Sequence, residues 1–439
     1  MVGRSVGFAS GTMKLKVSLS IVGALALMPS VLNAAEMLLE REVIRDVLAE
    51  NPTLKASAAK WAAMRERVPQ ARAWDDPMTG LKLMRSGSTS FTDYTAAEWM
   101  VSQSLPLSGK NLSRGRAAEA EARAAYEDVR RVRLDVVAKT RAAYFRLGNA
   151  YAQLALNRKN QGFLVQFVEI SKAKYETGGR SQADVLAAQT DASKLDQERV
   201  RLEQDLSVQQ SALNVLINRP ATAPLGQPAA LAFKPLARKA AELEALILAH
   251  RPEVTAAERG VSADQAKLQL AHRAWIPDPQ VMVEARHFRE SSDTFSEYNT
   301  GIFFSVPWAN PRKYSAGVRE AEQSVESARR MVEAAKTEAL GMLRDQLKKI
   351  SSLAEQFQIS RDKIVPLAAQ TVATLEASYR ADNSGYLELL TAERTLREAE
   401  AAASSQLADY LAALAELEAL VGYDGDNAGS KSPPRNSKR

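Results

Sequence analysis

The chain has 439 residues, a formal net charge of +6 and no cysteine. The missing cysteine excludes disulfides, thiolate zinc sites, thiol nucleophiles and an amino-terminal lipid-modified cysteine. The charge lies at the two ends, since residues 1–35 carry +3, residues 425–439 carry +3 and the body between them is neutral. A neutral body argues against nucleic acid as a partner, because phosphate binding needs a concentrated basic surface.

The amino terminus has the pattern of a secretory signal. Lys14 and Lys16 precede the apolar run Val17–Leu27, and the small residues Ala34 and Ala35 follow. This order predicts that residues 1–35 are a cleaved signal peptide. An amino-terminal membrane anchor is the alternative, although the apolar run is short for a span of about 20 residues.

The body of the chain is duplicated. Asp76-Pro77 matches Asp278-Pro279 at an offset of 202, and Tyr175 matches Tyr379 at an offset of 204. A nearly constant offset indicates two copies of one large unit. The predicted organisation is a first repeat at 36–218, a linker at 219–239, a second repeat at 240–422 and a disordered basic tail at 423–439.

Each repeat is predicted to hold the same elements in the same order. A medium helix comes first, Leu38–Arg72 in one repeat and Ala240–Ala274 in the other. A β-hairpin follows at 78–105 and at 280–307, where apolar and polar residues alternate. A pair of long helices completes each repeat, at 108–218 and at 311–421, with Pro366 as the one expected kink. The fold class is therefore mainly α with a small β part.

Two hairpins supply four short strands, and an open four-stranded sheet in a bilayer leaves unpaired backbone groups in hydrocarbon. Pairing between copies of the chain removes these edges. Three copies give twelve strands, a barrel wide enough for an aqueous channel, although two or four copies also close.

The duplicated hairpin-plus-helix-pair unit, the signal and a Tyr-x-x-Gly turn before a return helix resemble the TolC family of outer-membrane efflux ducts. The resemblance covers about Leu38 to Gly422. It implies a homotrimer in which each chain forms one third of a β-barrel in the outer membrane and of a helical barrel in the periplasm. It also implies a periplasmic adaptor protein, an inner-membrane pump of the resistance-nodulation-division type, contact with outer-membrane lipid and no cofactor.

In that family the two turns between the long helices form the periplasmic tip, which docks the adaptor. The first turn here is Tyr175–Leu186 and the second is Tyr379–Leu390. The glycines suit a turn that needs positive φ, and the serines suit helix N-caps. The alternative is that both turns only connect helices. The candidate docking residues are Gly178, Gly179, Ser181, Asp184, Leu186, Ser384, Leu387 and Leu390.

Acidic residues at the tip also narrow the entrance of the family's channel. Glu388 matches one acidic position of that constriction, whereas the neighbouring acidic position is Thr391 here. The resemblance therefore implies one carboxylate per chain at this level. The alternative is that Glu388 is a solvated residue on a helix surface.

The segments Ser102–Lys110 and Arg251–Arg259 resemble the heavy-metal, CzcC-like branch of the family, which suggests efflux of metal cations. Other branches export drugs or proteins, and a periplasmic coiled-coil scaffold is a further alternative that leaves the hairpins unused. The three histidines, His250, His272 and His287, have no His or Cys partner at metal-binding spacing. With no catalytic motif either, the sequence does not predict an enzyme.

Overall fold

The computed structural model describes residues 37–85, 94–176, 182–290, 294–295, 297–381 and 385–422. The expected signal peptide, the expected basic tail, and Gly178, Gly179, Ser181 and Ser384 of the predicted tip lie outside the described residues. Most of the described chain is helical and four strands complete it, so the predicted fold class is confirmed. No helix in the described part of the chain is both long enough and apolar enough to cross a membrane.

The two repeats contain matching elements in the same order. The first repeat consists of α1 Glu40–Glu50, α2 Pro52–Arg72, β1 Met78–Met84, β2 Ala96–Ser104, α3 Lys110–Glu176 and α4 Gln182–Leu216. The second consists of α5 Ala240–His250, α6 Pro252–Arg273, β3 Pro279–Phe288, β4 Glu297–Phe304, α7 Pro311–Ile359, α8 Val365–Arg380 and α9 Tyr386–Leu420.

The opening helix of each repeat is broken, where the sequence predicted a single helix. Asn51 precedes Pro52 and has an extended backbone (φ −60°, ψ 121°), because the ring of a proline disfavours the helical conformation of the preceding residue. The Asn51 carboxamide oxygen accepts hydrogen bonds from the backbone N–H groups of Thr53 and Leu54 at 3.0 and 3.1 Å. Proline therefore ends α1 and also starts α2, where its missing N–H costs nothing.

The long helix of the second repeat is interrupted where that of the first is continuous. Helix α3 runs for 67 residues, on the order of 100 Å at 1.5 Å per residue. Its counterpart contains a π-helical turn at Ser360–Ile364, between α7 and α8. Pro366 follows this turn, and a proline inside a helix lacks a donor and crowds the carbonyl four residues before it. The wider π-helical turn leaves more room for that carbonyl than a regular α-helical turn.

One antiparallel sheet contains all four strands in the order β1-β2-β3-β4. Within each repeat the strands form a hairpin, and β2 pairs with β3 to join the repeats, with Trp99 opposite Ala285. Strands β1 and β4 are the two edges and pair with no further strand among the described residues. The duplication therefore produces one sheet that is open on both sides.

The helices pack side by side around the long helices α3 and α7. In the half that follows the sheet, α2 and α6 pack against α3, and α6 also packs against α7. In the other half, α4 and α9 pack against α3, and α9 also packs against α7 and α8. The larger apolar core includes the fully buried Leu147, Leu213 and Leu343. A smaller core, around Phe167, lies where the long helices end.

Candidate functional site

The four-stranded sheet has one apolar face. Directly paired residues of antiparallel strands project to the same side, so the register places Leu81, Trp99, Ala285 and Tyr298 in one row of this face. The neighbouring row contains Val101 opposite Val283. These large apolar side chains are 45–68 % exposed: Leu81, Trp99, Val101, Val283, Tyr298 and Ile302.

The opposite face of the sheet is charged. Lys82, Glu98, Arg286 and Glu297 are paired in register across all four strands. The Arg286 guanidinium donates to Glu98 at 3.1 Å and to Glu297 at 3.0 Å, and Glu98 is only 6 % exposed. An ion pair across three strands fixes their register, because a slip of one residue would carry every side chain to the other face.

The sheet is therefore apolar on its exposed face and has its buried charge on the other. A sheet in water has the reverse arrangement, with apolar residues packed inward and charges outward. An exposed apolar face of this extent marks a surface that contacts lipid or another protein. Strands that alternate apolar-out and polar-in are typical of membrane barrels with a polar interior.

Both layers of the molecule have open lateral edges. In the sheet these are β1 and β4. In the helical layer beyond the sheet, α4 lies at one side of α3, and α7 and α8 lie beyond α9. Exposed apolar residues occur on the helices of both sides: Val200, Val208 and Val215 on α4, Met331 on α7 and Leu367 on α8. A single chain therefore leaves apolar surface uncovered at both sides.

Asp278 joins the sheet to the helices immediately before β3. Its carboxylate accepts a hydrogen bond from the Ser108 N–H at 2.9 Å and from the Lys110 ammonium at 2.9 Å. Partial burial alone would raise the pKa of Asp278, but the bonds from Lys110 and Ser108 lower it below its usual value. Sequence reasoning used Asp278 only as a marker of the repeat, and no sequence signal connects it to residues 170 positions earlier.

The segment Ser108–Lys110 is thus a structural connection. Arg273 donates to the carbonyl oxygens of Ser108 and Gly109 at 3.2 and 3.0 Å. Gly109 has φ +74°, a conformation that favours glycine, and an added Cβ would lie 2.0 Å from the Arg273 guanidinium. This glycine therefore permits the close approach that holds the start of α3 beside the end of α6.

The ends of the long helix pairs lie together at the predicted tip. Phe167 of α3 contacts Tyr379 of α8 and Tyr386 of α9, with ring centroids 4.9 and 5.1 Å apart. The Lys174 ammonium donates to the Tyr379 carbonyl oxygen at 2.9 Å. The repeat-related tyrosines have different roles here, because Tyr379 is 1 % exposed whereas Tyr175 is 45 % exposed.

The described residues of the predicted docking set differ in exposure. Leu186 and Leu387 are exposed, at 55 % and 70 %, whereas Leu390 is buried at 5 %. Asp184, in the first turn of α4, is half-buried. Only the two exposed leucines therefore offer apolar side chains directly to a partner.

Glu388 is exposed in the first turn of α9. It lies along an open groove of about 510 Å³ between α8 and α9, together with Leu375, Leu387 and Thr391. The floor of this groove is apolar and its other polar groups are threonine hydroxyls: Thr371, Thr391 and Thr395. The carboxylate is therefore the only ionisable group among the residues that line this groove.

An ion pair that sequence analysis missed links the two halves of the tip. Asp191 of α4 is buried and accepts hydrogen bonds from Arg394 of α9 at 2.5 Å and from Lys194 at 3.1 Å. Burial alone would raise the pKa of Asp191, but the bonds to Lys194 and Arg394 lower it below its usual value. The sequence signal was slight, since one aspartate on a helix surface resembles many others.

The three histidines are on different elements: His250 in α5, His272 in α6 and His287 in β3. Among the described residues, no group of three or more His, Asp or Glu side chains is arranged to hold a metal ion.

Removal of the Asp191 carboxylate should loosen the tip. We expect Asp191→Asn to speed amide hydrogen exchange at the start of α4 and of α9 at pH 7, because hydrogen bonds to charged groups contribute about 1.5–3 kcal/mol. A carboxyl with a lowered pKa stabilises the fold above the unfolded pKa of about 4, and that contribution is lost as pH falls through the folded value. The variant should therefore lose part of the difference in thermal stability between pH 7 and pH 3.

Lys194→Gln is the matched control for this prediction. Lys194 is 62 % exposed in its side chain and bonds the same carboxylate oxygen as Arg394, but it lies on α4 with Asp191 and so does not join α4 to α9. Its effect on exchange should be several-fold smaller. Equal exchange in wild type and Asp191→Asn would show that the ion pair does not hold the two helices together.

The family model described as "Outer membrane efflux protein" matches residues 43–219 and 244–423, which correspond to the two repeats. Among curated proteins, the toluene efflux pump outer membrane protein TtgF of Pseudomonas putida is 25 % identical over 423 residues, covering 89 % of this chain and 84 % of TtgF. The nickel-cobalt-cadmium resistance protein NccC of Alcaligenes xylosoxydans xylosoxydans is 24 % identical, covering 71 % of this chain and 70 % of NccC.

Solved structures share the fold. The outer membrane protein VceC of Vibrio cholerae superposes with a TM-score of 0.72 at 18 % identity, covering 88 % of this chain and 96 % of VceC. CusC superposes with a TM-score of 0.73 at 19 % identity, covering 88 % of this chain and 92 % of CusC. Because the family match spans both repeats, the chain belongs to the outer membrane efflux protein family, a family of efflux channels and not of enzymes, and acts in efflux at the outer membrane.

Proposed function

We propose that three copies of this chain close into one duct, through which substrate leaves the periplasm passively. The supporting observation is the sheet, whose apolar face is exposed while the ion pairs of Arg286 lie on the other face. In a closed ring the apolar face contacts lipid and the charged face lines water. A periplasmic scaffold would have no use for a sheet of this kind.

Closure by three copies satisfies both layers at once. Edge strand β4 of one copy pairs with β1 of the next, and α4 of one copy packs beside α7 and α8 of its neighbour. Each copy contributes four strands and, at either level of the helical layer, four helices. Three copies then form twelve strands around an interior wide enough for water, whereas an eight-stranded barrel is filled by side chains.

A lysine on the apolar face should prevent stable insertion. Trp99→Lys places a charge where the duct meets lipid, and a lysine near the bilayer midplane costs roughly 2–4 kcal/mol in a barrel. We expect the amount of protein that stays with outer membranes after a high-salt and urea wash to fall at least fivefold.

Met100→Lys is the control, because Met100 is the next residue of β2 and projects to the charged face. It should remain with the outer membrane like the wild type. If the two variants wash off equally, the assignment of the faces to lipid and water is wrong.

We further propose that the tip docks a periplasmic adaptor, through which an inner-membrane pump of the resistance-nodulation-division type delivers substrate. Leu186 and Leu387 are the exposed apolar anchors, and the groove between α8 and α9 is open beside Leu387. Gly178, Gly179, Ser181 and Ser384 complete the proposed docking turns. Because the sequence contains no nucleotide-binding motif, the energy comes from the pump.

In the ring, one Glu388 from each copy lies at the periplasmic entrance. Glu388→Ala should reduce the preference for K⁺ over Cl⁻ and raise the conductance of the purified duct in a planar bilayer, because the carboxylates attract cations and narrow the pore. Glu398→Ala is the control, since it changes an exposed acid of the same helix farther from the turn. Unchanged ion preference and conductance in Glu388→Ala would remove Glu388 from the entrance.

For the cargo, we propose divalent metal cations. The segments Ser102–Lys110 and Arg251–Arg259 support this, and so does the similarity to NccC and to the nickel and cobalt resistance protein CnrC of Cupriavidus metallidurans, 24 % identical over 72 % of this chain. Organic solvents are the second candidate, because the similarity to the toluene pump component TtgF extends over more of the chain. Export of drugs or proteins is a further alternative.

Deletion of the gene should separate these cargoes. We expect the minimum inhibitory concentrations of nickel, cobalt and cadmium to fall fourfold or more, while tolerance of toluene stays unchanged. Expression of the chain in trans restores resistance, and Trp99→Lys does not. A strain that becomes sensitive to toluene but not to metals would reverse the assignment of cargo.

A further inference from the structure

The two open edges of the sheet fit one another in a specific register. We propose that β4 of one copy pairs with β1 of the next so that Ile302 lies opposite Leu81. Within one chain Leu81 shares a row with Tyr298, so the seam is shifted by four residues relative to that row. This inference rests on the proposed ring of copies and specifies which residues form its seam.

The direction of the backbone hydrogen-bonding groups restricts the pairing of β4 with β1 of the next copy to registers that differ by two residues. Leu105 N–H donates to Pro279 O, and Arg289 N–H donates to Thr95 O, so the odd-numbered residues of β2 direct their backbone groups toward β3. Alternation along each strand then leaves the outward backbone groups of β1 at Thr79, Leu81 and Leu83. By the same alternation, the outward groups of β4 belong to Tyr298, Thr300 and Ile302.

The two faces of the sheet give the same restriction independently. The outward-pairing residues of β1 and β4 all project to the apolar face in the observed register. A ladder that joins them keeps lipid-facing side chains on one side and charged side chains on the other. Leu81 must therefore lie opposite Tyr298, Thr300, Ile302 or Phe304 of the neighbouring copy.

Because the strands of a closed barrel are tilted, the seam between two copies must be staggered along the strands. With Leu81 opposite Tyr298, the row Lys82-Glu98-Arg286-Glu297 would return to Lys82 of the next copy with no stagger, and the strands would run parallel to the barrel axis. Four strands spaced ~4.8 Å apart and tilted by roughly 35–45° require a stagger of about four to six residues per copy at ~3.3 Å per residue. This requirement does not depend on the number of copies.

The lengths of β1 and β4 favour a stagger of four residues per copy over a stagger of six. A stagger of four pairs residues 79–84 with residues 299–304, which lie within the observed bounds of β1 and β4. A stagger of six pairs only 81–84 with 301–304, and a stagger of four in the opposite direction leaves one pair. Since each unpaired backbone group in hydrocarbon is costly, the longest ladder that is compatible with the tilt is favoured.

The side chains of this register are complementary. Phe303, 49 % exposed, lies opposite Gly80 of the next copy, so an aromatic ring covers a glycine on an edge strand. Among the described residues around Gly80, only the end of Met100 comes within 4 Å of an added Cβ, which leaves room for the ring. Lys82 lies opposite Gly301, against which the Phe303 ring of the same strand lies in the single chain, and the seam requires this ring to turn toward Gly80. Bulky side chains thus face glycines on the charged side of the seam.

The absence of cysteine makes a disulfide test clean. Asn299→Cys is combined in turn with Met84→Cys, Lys82→Cys and Gly80→Cys, all of which project to the same face. Within one chain these positions are three strands apart, ~14 Å, which is beyond the reach of a disulfide. In the proposed register only Met84 lies directly opposite Asn299, at a Cα separation of about 4.5–5.5 Å, and Lys82 lies diagonally, at ~7–8 Å.

We expect the Met84/Asn299 variant, oxidised in outer membranes, to give a ladder of bands on a non-reducing gel that ends at three chains and collapses on reduction. At least tenfold less cross-linking is expected for the Lys82 and Gly80 combinations. The register is wrong, but the ring stands, if the Lys82 or the Gly80 combination cross-links more strongly than the Met84 combination. The same holds if none of the three cross-links in a protein that is oligomeric by native mass spectrometry. A single-chain mass for the cysteine-free parent overturns the ring itself.

Discussion

Backbone hydrogen bonding at the edges of the sheet is the constraint on which this structure depends. A strand edge in hydrocarbon leaves N–H and C=O groups unpaired, each at a cost of several kcal/mol. The part of the chain that the structure describes supplies four strands in one sheet, with β1 and β4 as its edges. The even number of strands leaves β4 antiparallel to the β1 of a copy placed beside it. In the proposed ring, assembly of the copies therefore completes the hydrogen bonding of the sheet.

The duplication explains how one chain builds two layers with matching edges. Each repeat supplies a hairpin and a helix pair, and the pairing of β2 with β3 joins them so that the first repeat provides one edge and the second the other. The contacts of Asp278 with Ser108 and Lys110 connect the start of β3 to the start of α3. Because this connection is hydrogen-bonded and partly buried, it ties the position of the sheet to that of the long helices.

The tip shows how far the two repeats have diverged. Tyr379 is buried against Phe167, whereas Tyr175 is exposed. The second long helix also contains the π-helical turn before Pro366, where α3 is continuous. The two helix pairs of one chain therefore differ in surface and in backbone geometry. The buried Asp191 then holds α4 and α9 together across the boundary between the repeats.

Sequence reasoning identified the features with a local or periodic cause. The alternation of apolar and polar residues predicted the hairpins at 78–105 and 280–307, and the duplication predicted the same order of helices in both repeats. The break at Asn51 was missed because proline at a helix start and proline inside a helix look alike in the sequence, and only the capped geometry distinguishes them. The exposure of Leu387 and the burial of Leu390 could not be separated either, since both are leucines within one turn of α9.

The sequence by itself therefore determined the duplicated helical architecture, the hairpins and the family, because helix and strand periodicity and the repeat are written in neighbouring residues. Only the tertiary structure decided the register in which β2 pairs with β3, that Arg286 joins Glu98 to Glu297, and that Asp191 meets Arg394. The physical reason is distance along the chain: these contacts join residues up to about two hundred positions apart, and each depends on how the two repeats pack together.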